Sequence, residues 1–355
     1  MTHPRAQAIS ALADIDDTEL FVVFADRKDR GLVTVQYFEK PGEGGLDELR
    51  RLKDTRWETT VPEGFEPFAA ASGRLRDDLG IFWAGWSNER SLHALSIFQE
   101  QPIRLTLESG ERLVQSAVAV PSKRMHQYAW RERGTRAALW LHEFMGELDG
   151  PGRLASREIG LVEPLPTVSA AAPLSGTDDD RSVLAWAGSG DAGLIAGAVM
   201  AGAGEFAPAA TTPAPRIRPA DRQRLGLVVG QGGEGILVAG FVGLQEDSGA
   251  YVFVEARFDL NVGEGKLELQ PLPVPPGSVH SGATIYYRDA EEPSALVLLL
   301  SPEGVLSRYL TDKRELRELR SGVSLDYDFP VISTFARIYE ASFGPRGEPG
   351  LEELR

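Results

Sequence analysis

Cysteine is entirely missing from this chain of 355 residues. Disulfide bonds and thiolate metal sites are therefore excluded, and we expect the protein to work in a reducing cytoplasm. The first residues, MTHPRAQAISALADIDD, lack the long apolar core of a signal peptide. The best candidate for a membrane span, Leu184–Ala203, is rich in glycine and alanine and carries Asp191 near its middle, so no membrane span is expected.

Positive charge is scarce, because 37 lysines and arginines stand against 52 acidic residues and give a net charge of -15. A field of this sign repels phosphate backbones and anionic lipid headgroups. We therefore expect neither nucleic acid nor a membrane to be the partner. A basic protein partner is compatible with this charge.

Signatures of common catalytic sites are also missing, since the sequence has no G-x-S-x-G elbow, no H-E-x-x-H and no phosphate-binding P-loop. The run GSGDAG at 188–193 has the spacing of a dinucleotide-binding loop, but proline-rich residues follow it where a helix and an acidic strand residue are needed. A hairpin turn explains these glycines equally well. The acidic run at 177–180 is interpreted as a solvated turn in preference to a cation site. We expect no cofactor, no metal and no catalysis.

What recurs along the chain is a run of small residues followed by two apolar or aromatic strands. The best-formed copy is Leu113–Phe144, and 38 glycines and 23 prolines provide frequent turns. The second strands of successive copies begin near Leu20, Leu79, Met125, Ser182, Gly235 and Ser294. A period on the order of 50 residues with four short strands per repeat is typical of a β-propeller blade. The strand spacing alone would also suit a sandwich.

The distribution of side-chain size fits the same interpretation. Small residues suit an innermost strand that lines a crowded central channel, as at Ala69–Ser72 and Ser169–Ala172. The bulky side chains of the next two strands, such as Trp130 and Trp186, suit flat interfaces between stacked sheets. Such a sheet cannot bury both faces alone, so we expect the repeats to close into a ring.

Three parts of the chain leave alternatives open. The segments GLDELR, KRELRELR and GLEELR lie where outer strands are due, but their leucines have a helical spacing. Residues 201–218 are rich in alanine, proline and threonine and predict an irregular loop. The last repeat looks one strand short, and either the N-terminal strand or a partner is expected to complete it.

The repeats resemble those of β-propeller proteins, which implies an all-β fold with blades of four antiparallel strands. We expect residues 1–355 to form one such domain with seven blades, or six as the alternative. The unit at 113–144 also resembles blades of the fucose-binding propeller lectins, in which an aromatic strand carrying an arginine precedes a strand that begins with an aromatic residue. Arg131 and Trp140 occupy those places in one repeat only.

The first group of candidate site residues is the polar set peculiar to this repeat, namely His126, Arg131, Glu132, Trp140, His142 and Glu143. If the hairpin turns at 134–135, His126 faces Glu143 while His142 points to the other face of the sheet. The two histidines therefore do not form a metal pair. His126 and Glu143 are either an acid–base pair or, by preference, a structural contact.

The second group lies nearer the C-terminus. Arg216 and Arg218 belong to a local basic cluster, RIRPADRQR, where an anionic group could dock. Asp326, Tyr327 and Asp328 form an acidic–aromatic stretch typical of interfaces. The resulting prediction is a non-catalytic propeller that acts as a binding or scaffold module for a protein partner. A carbohydrate-binding lectin, or less favoured a propeller hydrolase, is the alternative.

Overall fold

The computed structural model describes the backbone of most strands of the chain and the side chains of parts of 117–354. The described residues are 6–13, 19–26, 31–41, 47–60, 66–75, 78–86, 91–96, 103–106, 113–119, 124–133, 136–145, 153–162, 165–173, 181–190, 193–202, 205–206, 210–214, 216–229, 236–289, 292–327, 329–334, 337–343 and 349–354. Within these ranges all regular structure is β-strand, as predicted, and no helix is long and apolar enough to cross a membrane.

The strands form seven sheets, which follow one another in chain order. The first three sheets contain β1 (Ala6–Ala13), β2 (Glu19–Asp26), β3 (Gly31–Pro41) and β4 (Asp47–Thr60); β5 (Glu66–Leu75), β6 (Asp78–Trp86), β7 (Ser91–Ser96) and β8 (Ile103–Thr106); and β9 (Leu113–Ala119), β10 (Arg124–Arg133), β11 (Arg136–Met145) and β12 (Arg153–Val162). The fourth contains β13 (Pro166–Pro173), β14 (Ser182–Gly190), β15 (Gly193–Gly202), β16 (Glu205–Phe206) and β17 (Ala210–Ala214).

The remaining three sheets are joined by one crossing strand. The fifth contains β18 (Ile217–Pro219), β20 (Gly226–Val229), β21 (Ile236–Gln245), β22 (Tyr251–Asp259) and β23 (Glu264–Pro271). The sixth contains β19 (Gln223–Arg224), β24 (Ser281–Asp289), β25 (Glu292–Leu300), β26 (Leu306–Leu310) and β27 (Glu315–Arg320), and the seventh contains β28 (Val331–Thr334), β29 (Arg337–Phe343) and β30 (Pro349–Glu353). All pairings are antiparallel except the short one between β19 and β24.

The first strands of neighbouring sheets lie side by side, in the order β1, β5, β9, β13, β20, β24 and β28, and β1 in turn lies beside β28. The N-terminal strand does not complete the last sheet, however. Hydrogen bonds join β1 to β2 of its own sheet, and the described part of the seventh sheet has three strands. Of the two alternatives for the last repeat, completion by the N-terminal strand is thus wrong, because β1 is the first strand of the first sheet.

Successive sheets stack face to face and bury apolar side chains between them, as the bulky strands predict. Alternate residues of one strand point to opposite faces. In β14, Leu184 and Trp186 therefore pack toward the third sheet, whereas Val183 and Ala185 pack toward the fifth. A strand covered on both faces needs apolar residues at nearly every position, which explains its continuous hydrophobic sequence.

The leucine-rich segments of ambiguous pattern are outer strands. Residues three apart face the same side of a helix but opposite sides of a strand. In β27, Leu316 packs toward the fifth sheet and Leu319 toward the seventh, so each leucine serves a different interface. Of the two corresponding segments, residues 47–50 lie in β4 and residues 350–353 lie in β30.

Residues 201–218 differ from the predicted irregular loop. They contain β16 and β17, and β17 pairs with β15 as an outer strand of the fourth sheet. Proline at position 213 is tolerated there because a strand at the edge of a sheet need not donate every backbone N–H. The glycines at 188–193 form the end of the β14–β15 hairpin, where Gly190 is opposite Gly193.

Candidate functional site

The third sheet carries the first group of candidate residues in the predicted register. His126 is opposite Glu143, with 3.4 Å between the imidazole Nε2 and the carboxylate Oε1. This face of the sheet packs on the fourth sheet, and there His126 Nδ1 lies 2.6 Å from the hydroxyl of Ser182. The hydroxyl of Tyr128 lies 2.7 Å from the same oxygen. Ser182 thus joins two side chains of the neighbouring sheet.

The order serine, histidine and carboxylate is also that of a nucleophilic triad, but its surroundings differ from those of an active site. Ser182 and His126 are 0% exposed, so no substrate carbonyl can reach the serine oxygen. Burial raises the pKa of the Tyr128 phenol, and the phenol therefore stays neutral and shares its hydrogen bond with Ser182. The arrangement is a buried polar contact between the third and fourth sheets.

The opposite face of the third sheet holds Arg131, Trp140 and His142. The Arg131 guanidinium lies over the Trp140 ring at 4.1 Å, and its Nη2 donates to His142 Nε2 at 3.3 Å. His142 Nδ1 then donates to the Ser156 hydroxyl at 2.8 Å. Burial, with a further contribution from Arg131, lowers the pKa of His142 to about 3. His142 is therefore a neutral structural histidine at physiological pH.

The six residues predicted from this repeat consequently do not form one site. His126 and Glu143 lie on one face of the sheet, and Arg131, Trp140 and His142 lie on the other. Glu132 is a half-buried residue near the end of β10. Arg131 and His142 are almost fully buried. The sequence showed the hairpin register but not Ser182, because the contact between His126 and Ser182 spans 56 residues and depends on how the sheets stack.

The acidic–aromatic stretch is also mostly structural. Tyr327 is buried between the sixth and seventh sheets, and its hydroxyl donates to Glu340 Oε1 at 2.8 Å. Arg320 donates to the same carboxylate oxygen. Burial and Glu340 raise the pKa of Tyr327, so the phenol keeps its proton. Tyr327 is therefore not available to a partner, Asp326 is exposed, and Asp328 lies outside the described residues.

The basic cluster, in contrast, lies beside a cavity that is open to solvent. We call it the arginine cleft; it has a volume of about 330 Å³ and lies between the fifth and sixth sheets. Its charged or titratable lining residues are Arg218, Asp221, Arg222 and His280. Its apolar lining is formed by Ala220, Leu244, Tyr251, Val279 and Pro302.

The cleft exists because the innermost strand of the fifth sheet is interrupted. β18 pairs with one end of β21 and β20 pairs with the other, while residues 220–225 leave the sheet and place β19 beside β24. The side-chain amide of Gln223 bonds both backbone polar groups of Val242, and the Val242 carbonyl also accepts from Ala220 N at 2.9 Å. The amide accepts from Val242 N at 2.7 Å and donates to Val242 O at 2.6 Å. This amide fixes the crossing segment and the cleft wall.

Two arginines of this region have left-handed backbone conformations, Arg216 with a φ of 58° and Arg222 with a φ of 49°. This region favours glycine, and residues with side chains occupy it at a cost of about 1–2 kcal/mol. Arg222 directs Nη1 to His280 Nε2 at 3.1 Å. Such strain persists where the surroundings enforce it, and it is concentrated at functional sites.

The arginines of the cleft have unused hydrogen-bonding capacity. Arg218 donates through Nη1 to Asp221 at 3.1 Å, and Arg222 donates through Nη1 to His280. Each guanidinium has further N–H donors. Arg216, also predicted from the sequence, is exposed and paired with Asp247 at 2.6 Å outside the cleft. His280 is the residue that sequence reasoning missed, since its contact with Arg222 spans 58 residues.

No group of three side chains that could hold a metal ion occurs among the described residues. The cleft offers two guanidinium groups, one imidazole and one carboxylate, with apolar side chains among the residues that line it. This arrangement can bind an anion and an adjoining apolar group.

The sequence matches no protein-family model, and it matches no curated protein. Among solved structures, a fucose-specific lectin from Aleuria aurantia is 10% identical with a TM-score of 0.47, and the match covers 91% of this chain and 100% of the lectin. BBS1N, in complex with ARL6DN, is 13% identical with a TM-score of 0.48, over 100% of this chain and 92% of that chain. A chain of the mitotic checkpoint complex is 11% identical with a TM-score of 0.43, over 100% of this chain and 92% of that chain.

The Aleuria lectin is described as a six-bladed β-propeller. The described strands of the present chain form seven sheets. The ligands and assemblies named for these proteins belong to those proteins. In the succession and stacking of its sheets, the present chain resembles β-propeller proteins.

Proposed function

We propose that the chain is a seven-bladed β-propeller that acts as a non-catalytic binding module for a protein partner. Seven sheets in chain order and the position of β1 beside β28 support a closed ring of seven blades. A closed ring has no unpaired first or last sheet, so every sheet can bury both faces. Propellers of this kind present their loops and cleft edges as rigid binding surfaces.

The observation that carries this function is the arginine cleft. It is an open cavity with two arginines that retain donors, in a chain with a net charge of -15. The histidine, serine and tyrosine groups with catalytic potential in the third and fourth sheets are instead enclosed in contacts between sheets. A site with binding groups at the surface and reactive groups enclosed supports recognition rather than turnover.

The proposal is tested by capturing partners on the purified chain and reconstituting each complex from purified components. We expect at least one protein to form a complex of fixed stoichiometry in analytical ultracentrifugation. Turnover of any member of a broad panel of ester, glycoside and phosphate substrates at ordinary enzymatic rates would contradict the non-catalytic assignment. Six blades in an experimental density map would contradict the blade number.

The carbohydrate-binding alternative rests on the Arg131–Trp140 pair, which combines a guanidinium with an aromatic ring. Sugars commonly stack on such rings, but here Arg131 itself covers the ring and is 5% exposed. Binding on a glycan array that disappears in Trp140→Ala would favour this alternative. A blank array for the wild-type chain would remove it.

A further inference from the structure

We propose that the arginine cleft binds an acidic peptide segment of the partner. A glutamate or aspartate carboxylate of the peptide would bind Arg218 and Arg222, and an adjoining apolar side chain would pack against the apolar residues that line the cleft. This inference rests on the proposed protein-binding function and specifies the site and the chemistry of its ligand.

The carboxylate is indicated by the two guanidinium groups. Both lie on one short segment, 216–224, which holds four arginines against one aspartate. Arg218 and Arg222 line the same cavity, and each uses Nη1 for its contact within the protein. Their remaining N–H groups form the planar arrangement that suits the two oxygens of a carboxylate.

The apolar side chain of the peptide is indicated by the apolar residues that line the cleft. Leu244, Val279 and Pro302 contribute apolar surface, and the Tyr251 hydroxyl is already used, since it donates to Val279 O at 3.2 Å. A bare inorganic anion would leave this surface in contact with water. The volume of about 330 Å³ lies at the lower end of the range of ligand cavities, roughly 300–1,000 Å³, and fits one or two side chains.

A short acidic peptide is favoured over a polyanion by the charge of the whole chain. The net charge of -15 repels a nucleic acid or an anionic membrane, whose many charges extend beyond the cleft. A peptide with one or two carboxylates is affected mainly by the nearest charges, because salt screens interactions beyond about 8–10 Å. The local excess of arginine is then the dominant field.

The cleft is pre-organised for this ligand. The Gln223 amide holds the crossing segment on Val242, and a third bond from its Nε2 to Ala220 O, at 2.6 Å, fixes the turn between Arg218 and Arg222. His280 holds the Arg222 guanidinium. A binding group that is already ordered loses less conformational entropy on association.

The test uses two fluorescein-labelled heptapeptides, one alternating glutamate and phenylalanine and one alternating glutamine and phenylalanine, titrated with the full chain in a fluorescence-anisotropy assay. We expect the glutamate peptide to bind and the glutamine peptide to bind at least tenfold more weakly. The double variant Arg218→Gln/Arg222→Gln should lose at least tenfold in affinity for the glutamate peptide. Arg216→Gln is the matched control, since this exposed arginine lies outside the cleft, and it should bind like the wild type.

A further variant sharpens the result. Asp221→Asn removes the one carboxylate of the cleft and releases Nη1 of Arg218, so the glutamate peptide should bind about threefold more tightly. Equal binding of both peptides, equal loss in Arg216→Gln, or stronger competition by inorganic phosphate or single-stranded RNA than by the glutamate peptide would each overturn the proposal. A partner complex that persists in the double variant would overturn the cleft assignment and leave the binding function intact, whereas enzymatic turnover would reject the function itself.

Discussion

Polar side chains lie both between the third and fourth sheets and in the arginine cleft, but their burial and their hydrogen bonding differ. Between the sheets, His126 and Ser182 are fully buried and each has a partner inside the protein. In the cleft, Arg218 and Arg222 face an open cavity and use only part of their donors. Buried side chains between the sheets also have polar atoms without a hydrogen bond, such as the indole Nε1 of Trp130 and of Trp186. Free donors therefore indicate a binding site only where a ligand can reach them, as in the cleft.

The largest expected effect comes from removing a large side chain from the interface between the third and fourth sheets. Trp130 packs edge-to-face on Trp186 of the fourth sheet, with ring centroids 5.3 Å apart. Trp130→Ala should lower the free energy of unfolding by about 3–5 kcal/mol, because it leaves a cavity between the sheets. Urea unfolding measures this loss, and a loss of less than about 1 kcal/mol would show that these sheets do not share a core.

The next effect concerns the buried contact of Ser182 with His126 and Tyr128. Ser182→Ala leaves buried His126 Nδ1 without its hydroxyl partner and leaves the Tyr128 hydroxyl with only its 3.3 Å bond to the carbonyl of residue 182. The free energy of unfolding should therefore fall by about 2–3 kcal/mol. Ser156→Ala is the matched control, since it removes the hydrogen bond of His142 at an exposed serine and should cost about 1 kcal/mol or less. Equal losses of unfolding free energy in the two variants would contradict the buried contact of Ser182 with His126 and Tyr128.

Acid should destabilise the fold through His142, which lies on the opposite face of the third sheet from His126. The pKa of His142 is lowered from 6.5 to about 3 in the folded chain, so below pH 6.5 the unfolded chain takes up a proton that the folded chain does not. Stability therefore falls as the pH falls through this window, by about 2 kcal/mol from about pH 7 to about pH 5. In His142→Gln this part of the pH dependence should disappear, and the two proteins are compared by urea unfolding at both pH values. An unchanged pH dependence in the variant would contradict the buried neutral histidine.

The smallest of these effects tests the packing of one glycine. A Cβ at Gly197 would lie 2.3 Å from the Trp186 ring, whereas a Cβ at Gly160 would meet nothing within 4 Å. Gly197→Ala should therefore destabilise the chain by about 1–2 kcal/mol, and Gly160→Ala should be neutral or slightly stabilising. Thermal melts of the two variants decide the point, and indistinguishable melts would mean that Trp186 does not lie over Gly197.

Local features were predictable from the sequence. The hairpin expected around 134–135 predicted a register with His126 opposite Glu143, and the two strands have this pairing. The strand character of the leucine-rich segments was not predictable, because helix propensity is a weak preference that stacking on both faces of β27 overrides. β17 was missed for a related reason, since an edge strand tolerates the proline that suggests a loop.

The candidate site was predictable only in part. Arg216 and Arg218 were visible as a basic cluster in an acidic chain, but their different roles depend on the interrupted strand of the fifth sheet. His280 and Ser182 become neighbours of their partners only when distant sheets stack. The sequence of the third sheet therefore suggested several ligand-binding residues, but His126, Arg131 and His142 are buried in the fold.

We infer that ligand binding depends on the arginine cleft, whereas folding stability depends on the interface between the third and fourth sheets. This division of roles is tested most directly by measuring glutamate-peptide affinity and urea stability on the same two proteins, Arg218→Gln/Arg222→Gln and Ser182→Ala. The cleft variant should bind at least tenfold more weakly and change its free energy of unfolding by less than about 0.5 kcal/mol. Ser182→Ala should lose stability and bind as the wild type does. If the cleft variant binds normally, or if Ser182→Ala loses binding while still folded, the division of roles is contradicted.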